Sequence, residues 1–383
     1  MFLQIHTLTS YPASLLNRDD AGLAKRIPFG NALRLRVSSQ CLKRHWREDL
    51  SHRLSHIPDG QRTRSFFTRT VLPRAVEAGV PQAVANQLIE PLAKAVIDGG
   101  VKEGGDLNQP VLFGLREADY FVQLLKDASS QPDPGKALTE RLKTKDEKDN
   151  IKAMSKAAAG LTAALFGRMV TSDLLARVDA PVHVAHAFTV HAANTEMDYF
   201  TVVDDLNRDD ETGAAHANQT ELGAGLYYGY VAVDVPLLVG NLTGADPKDW
   251  RNQDPATVRQ VLEALIDSVA RQSPGAKKGS TAPYAWAEMV FLETGRSQPR
   301  TLANAFLDAL RLDGKADPRQ AAIDRLAAHL EQLDAMYGSS NGSDDEHGRF
   351  LSTTLEPTPP LPPKQPLRDS IRAALDRIFG RRG

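Results

Sequence analysis

The sequence predicts an α+β protein in which a sheet domain is interrupted by a large helical insertion. Three observations carry that reading. Strand-like alternation of apolar and polar residues marks residues 2–8 and 33–37. Strand character returns at residues 181–190, 225–235 and 287–292. Between these two sets, residues 51–180 read as helical segments joined by loops rich in Gly, Pro and charge, with no convincing strand alternation.

Residues 2–8, Phe-Leu-Gln-Ile-His-Thr-Leu, form a half-buried strand bounded by Thr9, Ser10 and Pro12. In residues 33–37, Leu33, Leu35 and Val37 alternate with Arg34 and Arg36, so one face reads apolar and the other basic. Ser38 and Ser39 are helix-start signals, after which Leu42, Trp46 and Leu50 recur at i, i+4 and i+8 on one buried side. The clearest helices of the insertion are 85–97, 117–126 and 152–169. Residues 191–223 are polar and rich in Asp, Asn, Thr and Gly, as a long excursion loop or hairpin is. The apolar tract 222–240 is broken by Gly223, Gly225, Gly229, Asp234 and Pro236, and reads as strands and a turn, not a membrane span. Helices follow at 257–271, 304–310 and 319–337. A Ser/Gly/Asp/Glu stretch and six prolines between Pro357 and Pro366 read as an extended connector to a last helix, 367–379, ended by Gly380.

The chain carries 46 Lys and Arg against 48 Asp and Glu, a net charge of −2, which argues against a protein that coats nucleic acid over its whole surface. A single cysteine, Cys41, closes no intramolecular disulfide, and a reducing cytoplasm is the expected location. Residues 1–9 lack a basic flank and a continuous apolar run, so secretion is not expected. The distribution of charge is more informative than its sum. Residues 1–47 carry Arg18, Lys25, Arg26, Arg34, Arg36, Lys43, Arg44 and Arg47 against only Asp19 and Asp20. A positive field concentrated in a short segment is the footprint of an anionic partner such as a phosphate backbone.

The segment from Arg34 to Arg47 delivers a strand to a helix N-terminus, where unpaired N–H groups and the helix dipole favour an anion. Ser38, Ser39 and Gln40 add donors there, and Lys43 and Arg47 lie one turn apart. An ordinary helix cap with a solvated basic face is the alternative. No glycine-rich phosphate loop accompanies the segment, so no nucleotide cofactor is expected. Asp19 and Asp20 can hold a divalent metal and cleave a phosphodiester, or cap a turn and pair with Arg18, Lys25 or Arg26; without a second acidic cluster the turn is favoured. His183, His186, His191 and His216 invite a zinc reading, but residues 183 and 186 of one strand point to opposite faces, and structural histidines are expected. Tyr199, Phe200 and Thr201 inside the polar excursion, and Met169 after Gly167 and Arg168, either wedge against nucleobases or pin their loops. The loop Pro274-Gly-Ala-Lys-Lys-Gly-Ser-Thr281 can let backbone approach phosphate, or be plain surface. The lysine run Lys143, Lys145, Lys148, Lys152 and Lys156 is diluted by Asp146, Glu147 and Asp149.

Taken in order, Asn17-Arg18-Asp19-Asp20, Val37-Ser38-Ser39-Gln40 running into Leu42-Lys43-Arg44, Gly167-Arg168-Met169, Ala185-His186-Ala187, Phe200-Thr201 with Val203-Asp204-Asp205-Leu206, Pro274-Gly275-Ala276-Lys277 and Ala303-Asn304-Ala305-Phe306 form a specific set. The set resembles the CasC family of backbone subunits of the type I-E CRISPR surveillance complex, Cascade, within the RAMP superfamily. The resemblance implies an RNA-recognition-motif-like (ferredoxin-like) palm in residues 1–50, 181–190 and 225–338, helical fingers in 51–180 and a long thumb in 191–224. Residues 339–366 are then a connector and 367–383 a C-terminal helix. It implies a non-catalytic, cytoplasmic protein that takes no cofactor or metal. Its partners would be CRISPR RNA, the target DNA strand, other copies of itself in a head-to-tail filament and other Cascade subunits, with no membrane. Arg18, Lys25, Ser38, Ser39, Gln40, Lys43, Arg44 and Arg47 would hold RNA phosphates, Met169 and Phe200 would wedge at a kinked nucleotide, and Arg168, Thr201 and Lys277 complete the RNA-binding set. The alternative is a metal-dependent endoribonuclease using Asp19 and Asp20.

Overall fold

The computed structural model describes residues 1–97, 99–158, 160–169, 175, 177–201, 217–314, 316–338 and 348–380. The chain opens with strand β1 (Phe2–Ser14), the hairpin of β2 (Arg26–Phe29) and β3 (Ala32–Val37), and helix α1 (Ser39–Arg53). There follow β4 (Gly60–Thr63), a π-helical turn (Phe67–Val71) running into α2 (Leu72–Glu77), α3 (Gln82–Val96), β5 (Val111–Gly114) and α4 (Leu115–Ser129). Helices α5 (Pro134–Lys143), α6 (Lys145–Ala158) and α7 (Gly160–Phe166) come next. Strands β6 (Val182–Val184), β7 (Ala187–Thr189), β8 (Thr195–Thr201) and β9 (Ala217–Asp234) lead to α8 (Val235–Thr243), α9 (Ala256–Arg271) and the single turn α10 (Lys278–Thr281). The chain closes with β10 (Met289–Gly295), α11 (Pro318–Tyr337), β11 (Gly348–Thr353) and α12 (Leu367–Phe379).

Two compact units emerge. One comprises Met1–Asp49, Val184–Val233 and Arg259–Gly383; the other comprises Leu50–His183 and Asp234–Val258. The fold is therefore α+β, with an antiparallel sheet in the first unit and helices dominating the second.

In the sheet unit the strand order is β11-β10-β1-β9-β7-β3-β2, with β8 paired to the outer half of β9. Register is fixed by pairs from Phe2↔Gly295 to Leu8↔Met289, and from Met289↔Thr353 to Thr294↔Gly348. Both faces of the central strands are buried. Leu3 and Ile5 of β1 face one layer, while His6 and Leu8 face the other, where Leu8 joins Phe291, Phe306 and the α11 residues Ile323, Leu326 and Leu330. Each such side chain contributes about 1.5–3 kcal/mol by leaving water. This two-sided burial corrects the reading of β3 as one apolar and one basic face. Arg34 is 0 % exposed, and its guanidinium donates to the carbonyls of Phe29 (3.3 Å), Thr189 (3.1 Å) and Phe306 (2.7 Å), whereas Leu33 stands in solvent. The β2–β3 loop needs a glycine: Gly30 has φ +59°, and a Cβ there would lie 1.7 Å from the Leu307 carbonyl oxygen.

A polar cluster crosses the same layer. His6 is buried between the Tyr228 hydroxyl (2.8 Å from Nδ1) and Glu293 (3.2 Å from Nε2), and Arg300 and Arg349 donate to Glu293. Burial lowers the His6 imidazole below its ordinary 6.5. Burial alone pushes the Glu293 carboxyl up, but the hydrogen bonds from His6 and Arg300 prevail and hold it far below 4.5. In both cases the unfolded chain binds more protons than the folded one, so stability present at neutral pH is lost on acidification. The loss begins below pH 6.5 through His6 and continues below pH 4.5 through Glu293. Thermal melts between pH 7 and pH 4 should show this fall, and Glu293→Gln should flatten its acid limb.

The helical unit has its own core, in which Phe66 stacks on Phe113 at 4.1 Å and both pack with Phe67, Phe121, Leu88 and Leu92. Residues 51–180 were expected to lack strands, yet β4 and β5 pair from Gly60↔Gly114 to Thr63↔Val111. Two four-residue strands with one polar partner, Gln61-Arg62, leave too little alternation to read. The expected helix 152–169 is broken before α7, where Gly160 takes φ +83° and Asp59 caps the new helix by accepting from the Thr162 N–H (2.7 Å) and hydroxyl (2.9 Å).

Four further expectations are corrected. The tract 222–240 is one strand to Asp234 followed by α8, because Asp234 accepts from the Leu237 N–H and Pro236 sits in the first turn. Residues 304–310 give only a short 3-10 turn, Ala303–Phe306. Within the stretch read as a connector, Gly348–Thr353 is the edge strand β11, completed by pairing with β10. The strand expected at 181–190 is split into β6 and β7. Among the described residues no helix is long and apolar enough to cross a membrane.

Candidate nucleic-acid interface

The turn after β1 and the start of α1 are built as one piece. Asn17 is its organiser: its carbonyl accepts from Lys25 N–H (2.9 Å) and its side-chain oxygen accepts from Ser38 N–H (2.9 Å). Arg18 bridges to Ala24, and Lys25 carbonyl accepts from Arg36 N–H at 2.8 Å, so Arg18, Lys25, Arg36 and the first turn of α1 converge. Ser38 is buried and caps α1, its hydroxyl accepting from Cys41 N–H at 3.3 Å. Ser39 and Gln40 begin the helix, with Gln40 exposed. The buried stripe of Leu42, Trp46 and Leu50 is as the sequence predicts, and it places Lys43 and Arg47 at the edge of that stripe, both partly covered. Burial lowers the Lys43 ammonium. Arg44 is exposed and reaches Glu48 at 3.0 Å.

The lysine loop joins this corner. Ala276 N–H donates to Leu15 carbonyl at 2.8 Å, and Lys277 donates to Thr220 Oγ1 at 2.6 Å. Gly275 permits the tight path, since a Cβ there would lie 2.8 Å from Pro283. The charges of Arg44, Lys25 and Lys278 all act on the Cys41 thiol, against the burial that pushes it up. His45 is lowered by burial and then by Lys278, and His186 by burial and then by Arg36 and Lys25. In both imidazoles burial is the larger cause, and the neighbouring cations add to it in the same direction. The Arg36 guanidinium lies 2.9 Å from His186 Nδ1. The sequence offered Arg36 only within the basic excess, His186 only in a zinc reading and a motif, and Lys278 only within its loop; what places them at this corner is the pairing of β3 with β7 and the tether of residue 276.

Arg168 is corrected. It was expected to hold RNA, but it is 2 % exposed and its guanidinium meets both carboxylate oxygens of Glu117, at 2.8 and 2.9 Å. The buried Glu117, which also accepts from Gly114 N–H, requires a cation beside it. Gly167, with φ +76°, lets the backbone approach Val178, and Arg168 exchanges both backbone hydrogen bonds with Val178. The consequence is that Met169 stands 84 % exposed next to a fixed anchor.

In the excursion, β8 and β9 form a hairpin arm whose backbone pairs Phe200 with Asn218 and Thr201 with Ala217. The side chains of Phe200 and Thr201, and the whole of Val203-Asp204-Asp205-Leu206 and His216, lie outside the described residues. Before them Met197 and Tyr199 are exposed. Arg26 and Ala24 N–H both engage Glu221 of β9.

The remaining candidates have local roles. Asp19 accepts from Leu23 N–H at 2.8 Å and so closes its own turn, while Asp20 is exposed. His183 meets the Ala180 carbonyl and His191 accepts from Leu226 N–H. Among the described residues no three His, Cys, Asp or Glu side chains gather as metal ligands. Lys143, Lys145, Lys148 and Lys152 are exposed; the side chain of Lys156 lies outside the described residues.

A family model described as CT1975-like protein matches residues 3–358. The chain belongs to this family. Among solved structures, this CT1975-like protein is similar to a chain described as "CRISPR RNA-guided surveillance complex, pre-nicking". That match has 26 % identity and a TM-score of 0.72, and covers 98 % of this chain and 100 % of the other. A chain described as "CRISPR RNA-guided surveillance complex" shares the fold at 23 % identity and a TM-score of 0.62, covering 99 % and 100 %. No curated protein matches. The resemblance drawn from the ordered motifs to backbone subunits of such complexes therefore holds for family and fold.

Proposed function

We propose that this CT1975-like protein is a non-catalytic, CRISPR-RNA-binding backbone subunit of a type I-E surveillance complex, which polymerises head-to-tail along the guide spacer. In this reading it holds the RNA phosphates and presents bases to the target DNA strand beside other Cascade subunits. The observation that carries it is the basic corner, where Arg18, Lys25, Arg36 and Lys278 converge on the capped start of α1 with Lys43, Arg44 and Arg47. Such a site grips backbone and shape and leaves sequence to the guide. Met169, displayed beside its buried anchor, and Phe200 at the end of β8 supply the apolar wedges. The endoribonuclease reading is less favoured because the Asp19 carboxylate is committed to Leu23 N–H.

Lys43→Ala with Arg47→Ala is expected to weaken binding to single-stranded RNA of any sequence. Each lost phosphate contact lowers the slope of log affinity against log salt by about 0.7. Filter binding over a salt series reads this; an unchanged slope would show that the pair does not meet phosphate.

A further inference from the structure

We infer that Tyr284 and Trp286 form a stacking platform for the bases of single-stranded nucleic acid, an extension that rests on the RNA reading above but involves residues outside the basic corner. Both side chains are large and in water, 72 % and 65 % exposed, two positions apart in a segment outside the helices and strands. Their display is built. Between them Ala285 is clamped at both ends by the buried Ser273 hydroxyl, which donates to Ala285 carbonyl and accepts from Ala285 N–H, each at 2.9 Å. Ala287 N–H then donates to Ala270 carbonyl at 2.7 Å. Tyr284 and Trp286 stand out on either side of this fixed backbone, while Ala285 between them is partly covered. The segment is entered through Ala282, which at φ +41° is the one non-glycine residue in the left-handed region among those described. Strain of that kind persists where surrounding structure enforces a particular path.

The charge of the surroundings selects the occupant. From Gln272 to Ala287 the chain has no acidic residue and carries Lys277 and Lys278. The Arg271 guanidinium, itself paired with Asp267 at 2.9 Å, lies over the Trp286 ring at 4.7 Å and backs one face of it. Aromatic rings beside cations are what unpaired bases on a phosphate backbone require, and the fit is indifferent to sequence.

The test uses the purified full chain and a fluorescein-labelled oligouridylate of about 12 nucleotides, a length within the usual site sizes. Tyr284→Ala with Trp286→Ala is expected to weaken binding by anisotropy about 5- to 150-fold per stacked base, while Tyr284→Phe with Trp286→Phe stays near wild type. Of the three tryptophans, Trp46 and Trp250 are buried, so unlabelled oligouridylate should quench the exposed Trp286 emission, and Trp286→Phe should abolish that quench. Wild-type binding by the Ala variant, with Lys43→Ala and Arg47→Ala still impaired, overturns the platform and leaves the RNA reading standing. Failure of both variants to weaken binding overturns both. Wild-type binding combined with lost assembly in size exclusion assigns the aromatics to a protein contact and also overturns the platform.

Discussion

Glu117→Ala is expected to destabilise the protein by roughly 3–5 kcal/mol, because it leaves the Arg168 guanidinium buried without its carboxylate. Both side chains are essentially inaccessible, at 1 % and 0 % exposed, and water cannot replace the lost partner. The same substitution frees the Gly114 N–H at the start of α4. Urea denaturation should show a fall in midpoint with little change in slope. Arg168→Met combined with Glu117→Leu should recover much of the loss, since an apolar pair of similar volume carries no desolvation cost. If instead Glu117→Ala unfolds like wild type and selectively lowers RNA affinity, Arg168 contacts RNA and the structural role given to it fails.

Arg34→Met is expected to cost a comparable amount, about 3–5 kcal/mol, by a different route. Here the partners are three backbone carbonyls, those of Phe29, Thr189 and Phe306, drawn from three separate stretches of chain. Removing the guanidinium strands buried acceptors, each costing about 1–3 kcal/mol. Arg34→Lys should recover only part, because one ammonium cannot span the fork of acceptors. The readout is again the urea midpoint. A loss below about 1 kcal/mol for Arg34→Met would mean that the site is not sealed from water.

These two arginines show where legibility ends. The helical stripe Leu42, Trp46 and Leu50 declares its buried face by spacing alone, and α9, α11 and α12 follow from the same rule. Arg34 and Arg168 look in sequence like any other basic residue near a phosphate motif. What buries them is tertiary: a second layer over β3 in one case, and the carboxylate of Glu117, 51 positions away, in the other. Strand β11 was hidden for a related reason. Gly348-Arg-Phe-Leu-Ser-Thr353 has little alternation, and its strand state is supplied by β10. Conversely, the basic excess of residues 1–47 was legible in composition, while the organising role of Asn17, named in the sequence only as part of a motif, comes from its hydrogen bonds to Lys25 and Ser38.

The central claim is that the chain carries a guide RNA. The direct measurement is the ratio of absorbance at nucleic-acid and protein wavelengths for the protein purified from cells that also transcribe a guide, followed by sizing of the released RNA before and after incubation with Mg²⁺. The account predicts co-purified RNA of uniform length that Mg²⁺ leaves intact. Protein free of nucleic acid would contradict RNA binding, and RNA shortened by Mg²⁺ would contradict the non-catalytic role.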